Sequence, residues 1–255
     1  MQVADTAAVV TGGASGLGAA TAAALAEQGA MVYVFDLADS IERAVADGKV
    51  EGVSYVEVDV TDPDHVRAGI ERAAAGAEPL RTVVNCAGIG PAARILGKSG
   101  VHDLDLYAKI IQVNLIGSFN VLALAAEQIA KTDADDNGQR GVIVNTASVA
   151  AYEGQIGQAA YSSSKGGILG LTLPAARDLA QYGIRVMTIA PGILLTPMLM
   201  TVSEEFRTEL AAGVPFPKRL GDPGDYAALA LSIIANDYLN GEVIRLDGAL
   251  RMAPR

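Results

Sequence analysis

Short, nearly continuous apolar runs alternate along this chain with longer stretches that mix small apolar and polar residues. The runs are residues 7–11, 31–35, 53–58, 82–85, 142–145, 185–189 and 243–246. They are brief, rich in Val and Ile, and flanked by Gly, Asp or Asn, which predicts strands buried on both faces. Residues 16–29 read as an Ala-rich helix stopped by its final glycine. Residues 64–75 read as a helix with Pro63 beside its first turn, 107–130 as one long apolar helix, and 161–181 as a helix bent at Pro174. Strand–helix–strand repetition predicts an α/β fold: a doubly wound parallel sheet of seven strands with right-handed connections and helices on both faces. Such sheets bind ligands beyond the carboxyl ends of their strands, where the strand order reverses. No Pro- or Ser-rich linker and no internal repeat divides residues 1–255, so a single domain is expected.

Composition narrows the functions this fold can serve. Acidic residues outnumber basic ones 29 to 19 and the formal charge is −10. An acidic surface repels phosphate backbones, and no Lys/Arg block interrupts it, so nucleic acid is not an expected partner. Cys86 is the only cysteine, which rules out a disulfide within the chain and a cysteine-rich metal site, and fits a reducing compartment. Residues 1–5 carry no Lys or Arg, so neither a secretory leader nor an Arg-rich transit peptide is expected. The long uncharged stretches 6–26 and 186–203 are broken by Gly, Ser, Thr or Pro and do not read as membrane spans. A cytoplasmic protein without a membrane partner is the resulting expectation.

The chemistry begins where the first run meets the first helix, at Thr11-Gly12-Gly13-Ala14-Ser15-Gly16-Leu17-Gly18. Glycines here let the backbone turn tightly and approach a pyrophosphate, and the following helix start offers free N–H groups and a partial positive charge. Asp36, directly after the second run, is placed to accept the ribose hydroxyls of NAD and to repel the 2′-phosphate of NADP. Tyr161 and Lys165 lie four apart on a predicted helix and so share a face. Oxidation of an alcohol requires a base for the hydroxyl proton. A tyrosine serves at neutral pH only if its phenolate is favoured by about 4 kcal/mol, for a shift of ~3 units.

The spacing T-G-x-x-x-G-x-G, followed by Y-x-x-x-K, resembles the short-chain dehydrogenase/reductase superfamily, which implies a Rossmann-like fold and NAD chemistry. The resemblance assigns Tyr161 as acid/base, Lys165 as its cationic partner and Ser148 as the group that orients the substrate oxygen. It assigns Asn114 as the holder of a water linking the lysine to solvent. Taken singly, Ser148 and Asn114 are also ordinary turn and cap residue types. Gly12, Ser15, Gly16, Leu17, Gly18 and Asp36 form the cofactor cradle in this reading, with Asp59 and Val60 at the adenine. Cys86, Ala87 and Gly88 resemble the N-A-G segment, with the cysteine in an unusual extra slot. Pro191, Gly192, Leu194 and Thr196 resemble the nicotinamide-side segment. Ala14 agrees with NAD, because NADP-preferring relatives often carry a basic residue there.

Longer stretches narrow the resemblance. Residues 138–150, 153–167, 183–192, 214–223 and 240–249 are similar to the short-chain 3-hydroxyacyl-CoA dehydrogenases, also called 17β-hydroxysteroid dehydrogenase type 10. That branch implies oxidation of (S)-3-hydroxyacyl-CoA by NAD in a homotetramer, with Ser148, Gln155 and Tyr161 facing the substrate and a mobile helical lid over residues 194–214. Residues 93–105 and 194–200 depart from the branch pattern and border the expected substrate site, so a hydroxysteroid or another secondary alcohol remains an alternative. A third reading is an NAD-binding scaffold subunit, since animal relatives serve in a tRNA-processing assembly. Residues 133–138 mimic the opening of a calcium loop, but Val144 stands where its glutamate belongs, so no metal is expected. His65 and His102 lie outside every motif and are expected on the surface.

Overall fold

The computed structural model describes every residue of the chain except Lys49, Ser99, Met198, Val202 and Arg255, and only the backbone of Thr201 and Phe206. The strands are β1 (Ala7–Thr11), β2 (Met31–Asp36), β3 (Val53–Glu57), β4 (Leu80–Asn85), β5 (Leu96–Gly97), β6 (Gly100–Val101), β7 (Gly141–Thr146), β8 (Ile184–Pro191) and β9 (Val243–Leu246). Seven of them form one sheet in the order β3-β2-β1-β4-β7-β8-β9, with every neighbouring pair parallel. The order reverses between β1 and β4, so the crevice for a ligand opens beyond their carboxyl ends.

The helices are α1 (Gly16–Glu27), α2 (Ala38–Asp47), α3 (Pro63–Ala74), α4 (Leu104–Ile111), α5 (Ser118–Ile129), α6 (Ala159–Leu179), α7 (Glu204–Ala212) and α8 (Pro223–Ala235). They cover both faces of the sheet. On one face Val66, Ile70, Val121, Ala125, Ile129 and Ala176 from α3, α5 and α6 pack against Val9, Val83, Ile143 and Val186. On the other, Ala22 and Leu25 of α1 and Tyr226, Ala230, Ile233 and Ile234 of α8 meet Val10, Val84, Val144 and Met187. The central strands β1, β4, β7 and β8 are buried on both faces, which explains their lack of polar alternation.

A polar row crosses the four central strands among these apolar side chains. Thr11, Asn85, Asn145 and Thr188 are register partners in turn. Asn85 Nδ2 donates to Asn145 Oδ1 at 2.9 Å, and Thr188 shares a 2.6 Å hydroxyl bond with Thr172 of α6.

Several expectations are corrected. The long helix expected over 107–130 starts at Leu104 and is interrupted by a π-helical stretch, Gln112–Gly117, between α4 and α5. Gly117 presses against Val60 there, where an added Cβ would lie 2.7 Å from a Val60 methyl. Apolar periodicity does not register a widened turn of this kind. His102 is buried, not on the surface, at 8% exposed. Its backbone N–H donates to the Ile95 carbonyl at 2.9 Å, and its ring meets Tyr107 edge-on at 6.2 Å, because the β5–β6 hairpin folds this segment back. His65 is exposed. Helices α2 and α8 are additional to the elements expected. At 133–138, Asp135 Oδ1 accepts from the N–H groups of Asn137 and Gln139, and no cluster of metal-ligating side chains occurs among the described residues. In the expected lid run, residues 199–201 form a 3-10 turn and 204–212 form α7, while Met198 and Val202 lie outside the described residues.

Leu104–Ile129 is long and apolar enough to cross a membrane by length and composition. Its Ile110, Val121, Leu122, Ala125 and Ile129 are buried in the protein.

Candidate active site

The turn after β1 is built for close backbone approach. Gly12 has φ +64°, and a Cβ there would lie 2.8 Å from Ala87 Cα. At Gly18 an added Cβ would run into the Gly12 carbonyl. A side chain at either position would push this turn apart, so the glycines let the backbone fold back tightly at the start of α1. The Ser15 side chain makes no capping bond and the first turn of α1 holds no acidic residue, so the positive helix end is unneutralised. Leu17 anchors this turn in the core. Thr196 and Pro197 close over it, 3.7 and 3.3 Å from where a Gly16 Cβ would stand.

Around the cradle, the expected cofactor residues are held by backbone groups. Asp36 accepts from Ala14 N–H at 3.0 Å and Leu37 N–H at 2.9 Å, one on each carboxylate oxygen, leaving a lone pair on each for ribose hydroxyls. Asp59 Oδ1 accepts from the Thr61 N–H and hydroxyl, and the Val60 carbonyl accepts from Asn120. Cys86 and Ala87 are tied to β1 by Cys86 N–H to Thr11 O at 3.2 Å and Ala87 N–H to Thr11 Oγ1 at 3.1 Å. Gly192 N–H donates to Leu246 O, which sets the end of β8 beside β9. The Leu194 side chain is buried in the core and pairs with Gly221 in an isolated parallel bridge. The tight glycine turn, the unneutralised helix start and Asp36 together fit a dinucleotide.

The start of α6 carries the reactive pair. Lys165 is 4% exposed, its Nζ donates to the Thr146 carbonyl at 2.8 Å, and it stands 5.8 Å from the Tyr161 ring centre. Burial disfavours the ammonium and brings its pKa down to about 8, with Cys86 opposing. Burial pushes the Tyr161 phenol up, against a hydrogen bond with Ser148 that favours the phenolate. In the protein alone burial outweighs that bond and favours the protonated phenol. Ser148, buried at the end of β7, also accepts from Ala150 N–H.

Asn114 sits in the π-helical stretch. Its two amide hydrogens go to Ile89 O at 2.8 Å and Ser164 Oγ at 3.0 Å, and its Oδ1 accepts from Ile89 N–H. With both donors committed, a water joining Lys165 to solvent would have to use a carbonyl oxygen of this segment. Gly88 faces the same point, because a Cβ there would lie 3.2 Å from Asn114 Oδ1 and 3.5 Å from Lys165 Nζ.

Gln155 stands apart from this group. It lines a cleft of about 450 Å³ with Arg94, Leu96, Ile156 and Ser162, without Ser148 or Tyr161, and its Nε2 donates to Ala253 O. Glu153 beside it binds Arg245 and the Met252 N–H. Sequence reasoning had no signal for this C-terminal strap, nor for Thr146 as the lysine's acceptor.

A parallel sheet with a dinucleotide cradle at its switch point and a Ser–Tyr–Lys group beside it defines a nucleotide-dependent dehydrogenase class. Residues 6–207 match the short chain dehydrogenase family, and the chain belongs to it. The chain is 53% identical over 249 residues to the 3-hydroxyacyl-CoA dehydrogenase type-2 of Bos taurus, covering 97% of this chain and 95% of that protein. The Drosophila melanogaster protein of the same name is 51% identical over 248 residues, 96% and 97% of the two chains. The crystal structure of 3-hydroxyacyl-CoA dehydrogenase type-2 from Mycobacterium avium superposes with a TM-score of 0.91 at 46% identity, covering 98% of this chain and 97% of that one.

Proposed function

We propose that this protein is an NAD-dependent dehydrogenase of (S)-3-hydroxyacyl-CoA. The observation that carries the reading is the convergence of Ser148, Tyr161, Lys165 and Asn114 beside a cradle shaped for a dinucleotide. Resemblance to type-2 3-hydroxyacyl-CoA dehydrogenases along nearly the whole chain supports the substrate class.

Gly12, Gly16 and Gly18 receive the pyrophosphate, Asp36 the adenosine ribose, Asp59 and Val60 the adenine, and the 191–196 segment the nicotinamide side. NAD, when bound, accepts the hydride and brings a positive charge beside the phenol. Ser148 holds the substrate oxygen by its hydroxyl and steadies the charge that develops there. Tyr161 takes the hydroxyl proton on its phenolate oxygen. Lys165, held by Thr146, favours that phenolate as an adjacent cation. Asn114 fixes Ile89 and Ser164 around the lysine. Residues 194–214 act as the lid, and Gln155 faces the acyl-CoA from its cleft.

NADH formation at 340 nm with the (S) and (R) forms of 3-hydroxybutyryl-CoA, with NADP beside NAD, tests the reading. Turnover of the (S) form with NAD is expected; turnover of only steroid or simple secondary alcohols would replace the substrate class. Tyr161→Phe is expected to lower kcat by 10²-fold or more at nearly unchanged NAD affinity, and full activity in that variant would overturn the assignment.

The chain assembles as a homotetramer in this proposal. Exposed Tyr107, Ile116, Phe119 and Leu173 on α4–α6 supply apolar surface for subunit contact, and light scattering of the purified protein measures the mass. We read it as cytoplasmic and without nucleic-acid or membrane partners, on the single cysteine and the charge of −10.

A further inference from the structure

Lys165 reaches the site from α6, on one face of the sheet, yet the carbonyl that holds it is controlled from the other face. That carbonyl belongs to Thr146, the last residue of β7. The Thr146 side chain points to the α8 side, where its hydroxyl shares a 2.7 Å bond with the phenol of Tyr226. Tyr226 is fully buried, at 0% exposed. Cys86 completes a triangle, with its Sγ 3.7 Å from the Tyr226 hydroxyl and 3.7 Å from Thr146 Oγ1. The cysteine is itself bonded through its N–H to β1 at Thr11, so the triangle joins β1, β4, β7 and α8 directly behind the lysine.

We propose that Tyr226, together with Cys86, is a positioning residue that acts through Thr146 to hold the Lys165 ammonium in place for the reaction. The proposal rests on the catalytic role of Lys165 proposed above. A buried ammonium must have a fixed acceptor, and Lys165 relies on the Thr146 carbonyl for one. A flexible strand end would let that carbonyl drift; the short phenol–threonine bond pins it. Burial raises the Tyr226 pKa well above that of a free tyrosine, so the phenol keeps its proton and its bond over the working pH range. Burial also pushes the Cys86 thiol up, against its bonds with Tyr226 and Thr146. The titratable groups around Lys165 are then Tyr161 on α6, Cys86 after β4 and Tyr226 on α8, of which only Tyr161 changes charge in the reaction.

The experiment compares Tyr226→Phe, Thr146→Val, Thr146→Ser and Lys165→Met with the unaltered enzyme. The readouts are NAD binding by fluorescence, melting temperature, and pH profiles of kcat for (S)-3-hydroxybutyryl-CoA oxidation. A loosened ammonium loses stabilisation of its charged form, so its pKa falls and the alkaline limb moves to lower pH. The phenolate loses its partner, so the acid limb moves to higher pH. Tyr226→Phe and Thr146→Val are expected to narrow the profile from both sides and to lower kcat about tenfold, and Thr146→Ser is expected to restore both. A Tyr226→Phe enzyme with a lower melting temperature but an unshifted profile would overturn the positioning role. Should Tyr226→Phe not fold, the Val/Ser pair at Thr146 decides in the same way. Turnover surviving in Lys165→Met would instead remove the lysine role on which the proposal rests.

Discussion

The choice of NAD over NADP turns on one carboxylate, and Asp36→Asn tests it with little other disturbance. Asp36 is fixed in place because each oxygen accepts one backbone N–H, from Ala14 and Leu37. Asparagine keeps the shape and one acceptor, so one of these N–H groups loses its partner at a cost of about 1 kcal/mol. That loss falls equally on both cofactors and cancels in their ratio, which leaves the charge as the difference. A unit charge about 4 Å from Asp36 at an effective dielectric of ~20 is repelled by about 4 kcal/mol. Asp36 is only half-buried, and solvent screening reduces this to ~1.5–3 kcal/mol. The ratio of kcat/KM for NAD to that for NADP is therefore expected to fall about 10- to 100-fold. Steady-state kinetics with both cofactors at low and high salt provide the assay. Raising the salt should weaken the discrimination of the unaltered enzyme and leave that of the variant nearly constant. An unchanged ratio, or a salt effect of equal size in both proteins, would refute the electrostatic argument.

Two further predictions concern stability. Arg185 is buried and donates to Gln139 Oε1 and to the carbonyls of Ile233, Ile234 and Leu239, so it closes the carboxyl end of α8. Arg185→Met leaves those acceptors unpaired and is expected to cost about 3–5 kcal/mol, read as a lower urea midpoint. Asp225 pairs with Arg219 through both oxygens and accepts from Asp222 N–H, and the Arg219 bond chiefly lowers its pKa to about 2 from 3.8. A depressed carboxylate contributes stability above its unfolded pKa and loses it as pH falls through the folded one. Asp225→Asn should thus cost about 1 kcal/mol at neutral pH, and urea titrations should show the difference fading between about pH 4 and pH 2.

Much of this molecule is legible in the sequence because buried parallel strands announce themselves as short apolar runs. All seven strands of the main sheet fall where those runs lie, and the chain order of the motifs places the cradle and the Tyr161–Lys165 turn at the strand ends. Helix α8 carried a readable signal, since Asp222, Pro223 and Asp225 form a capping box with proline at its start. Helix α2 has no side-chain cap and no fully buried residue, but Leu37, Ile41, Ala44 and Val45 at helical spacing with Asp39 in the first turn were a readable signal as well. The π-helical stretch at Asn114 is a matter of hydrogen-bond register, which residue identities do not encode. Contacts between distant segments were equally hidden: Thr146 with Lys165, Tyr226 with Cys86, and the tail with Glu153 depend on which strand ends meet in space. His102 was misread for a local reason: the short β5–β6 hairpin just before it, which brings it against Ile95 and Tyr107, has no apolar run to announce it.

The polar row Thr11–Asn85–Asn145–Thr188 works as an alignment key for the sheet. An apolar ladder of Val and Ile tolerates a slip of two residues, since one aliphatic side chain replaces another on the same face. Such a slip between β4 and β7 would set Asn85 against Ile143 in place of Asn145, stranding a buried amide in hydrocarbon at a cost of several kcal/mol. β1, β4 and β7 are therefore indexed to one another at or next to their last residues, through Thr11–Asn85 and Asn85–Asn145, while Thr188 ties β8 to α6 through Thr172. Gly12, Gly88 and Ser148 all follow within a few residues of those ends, so their common level is set by the interior of the sheet. The loops that carry substrate choice are free to change in length and composition without disturbing that datum.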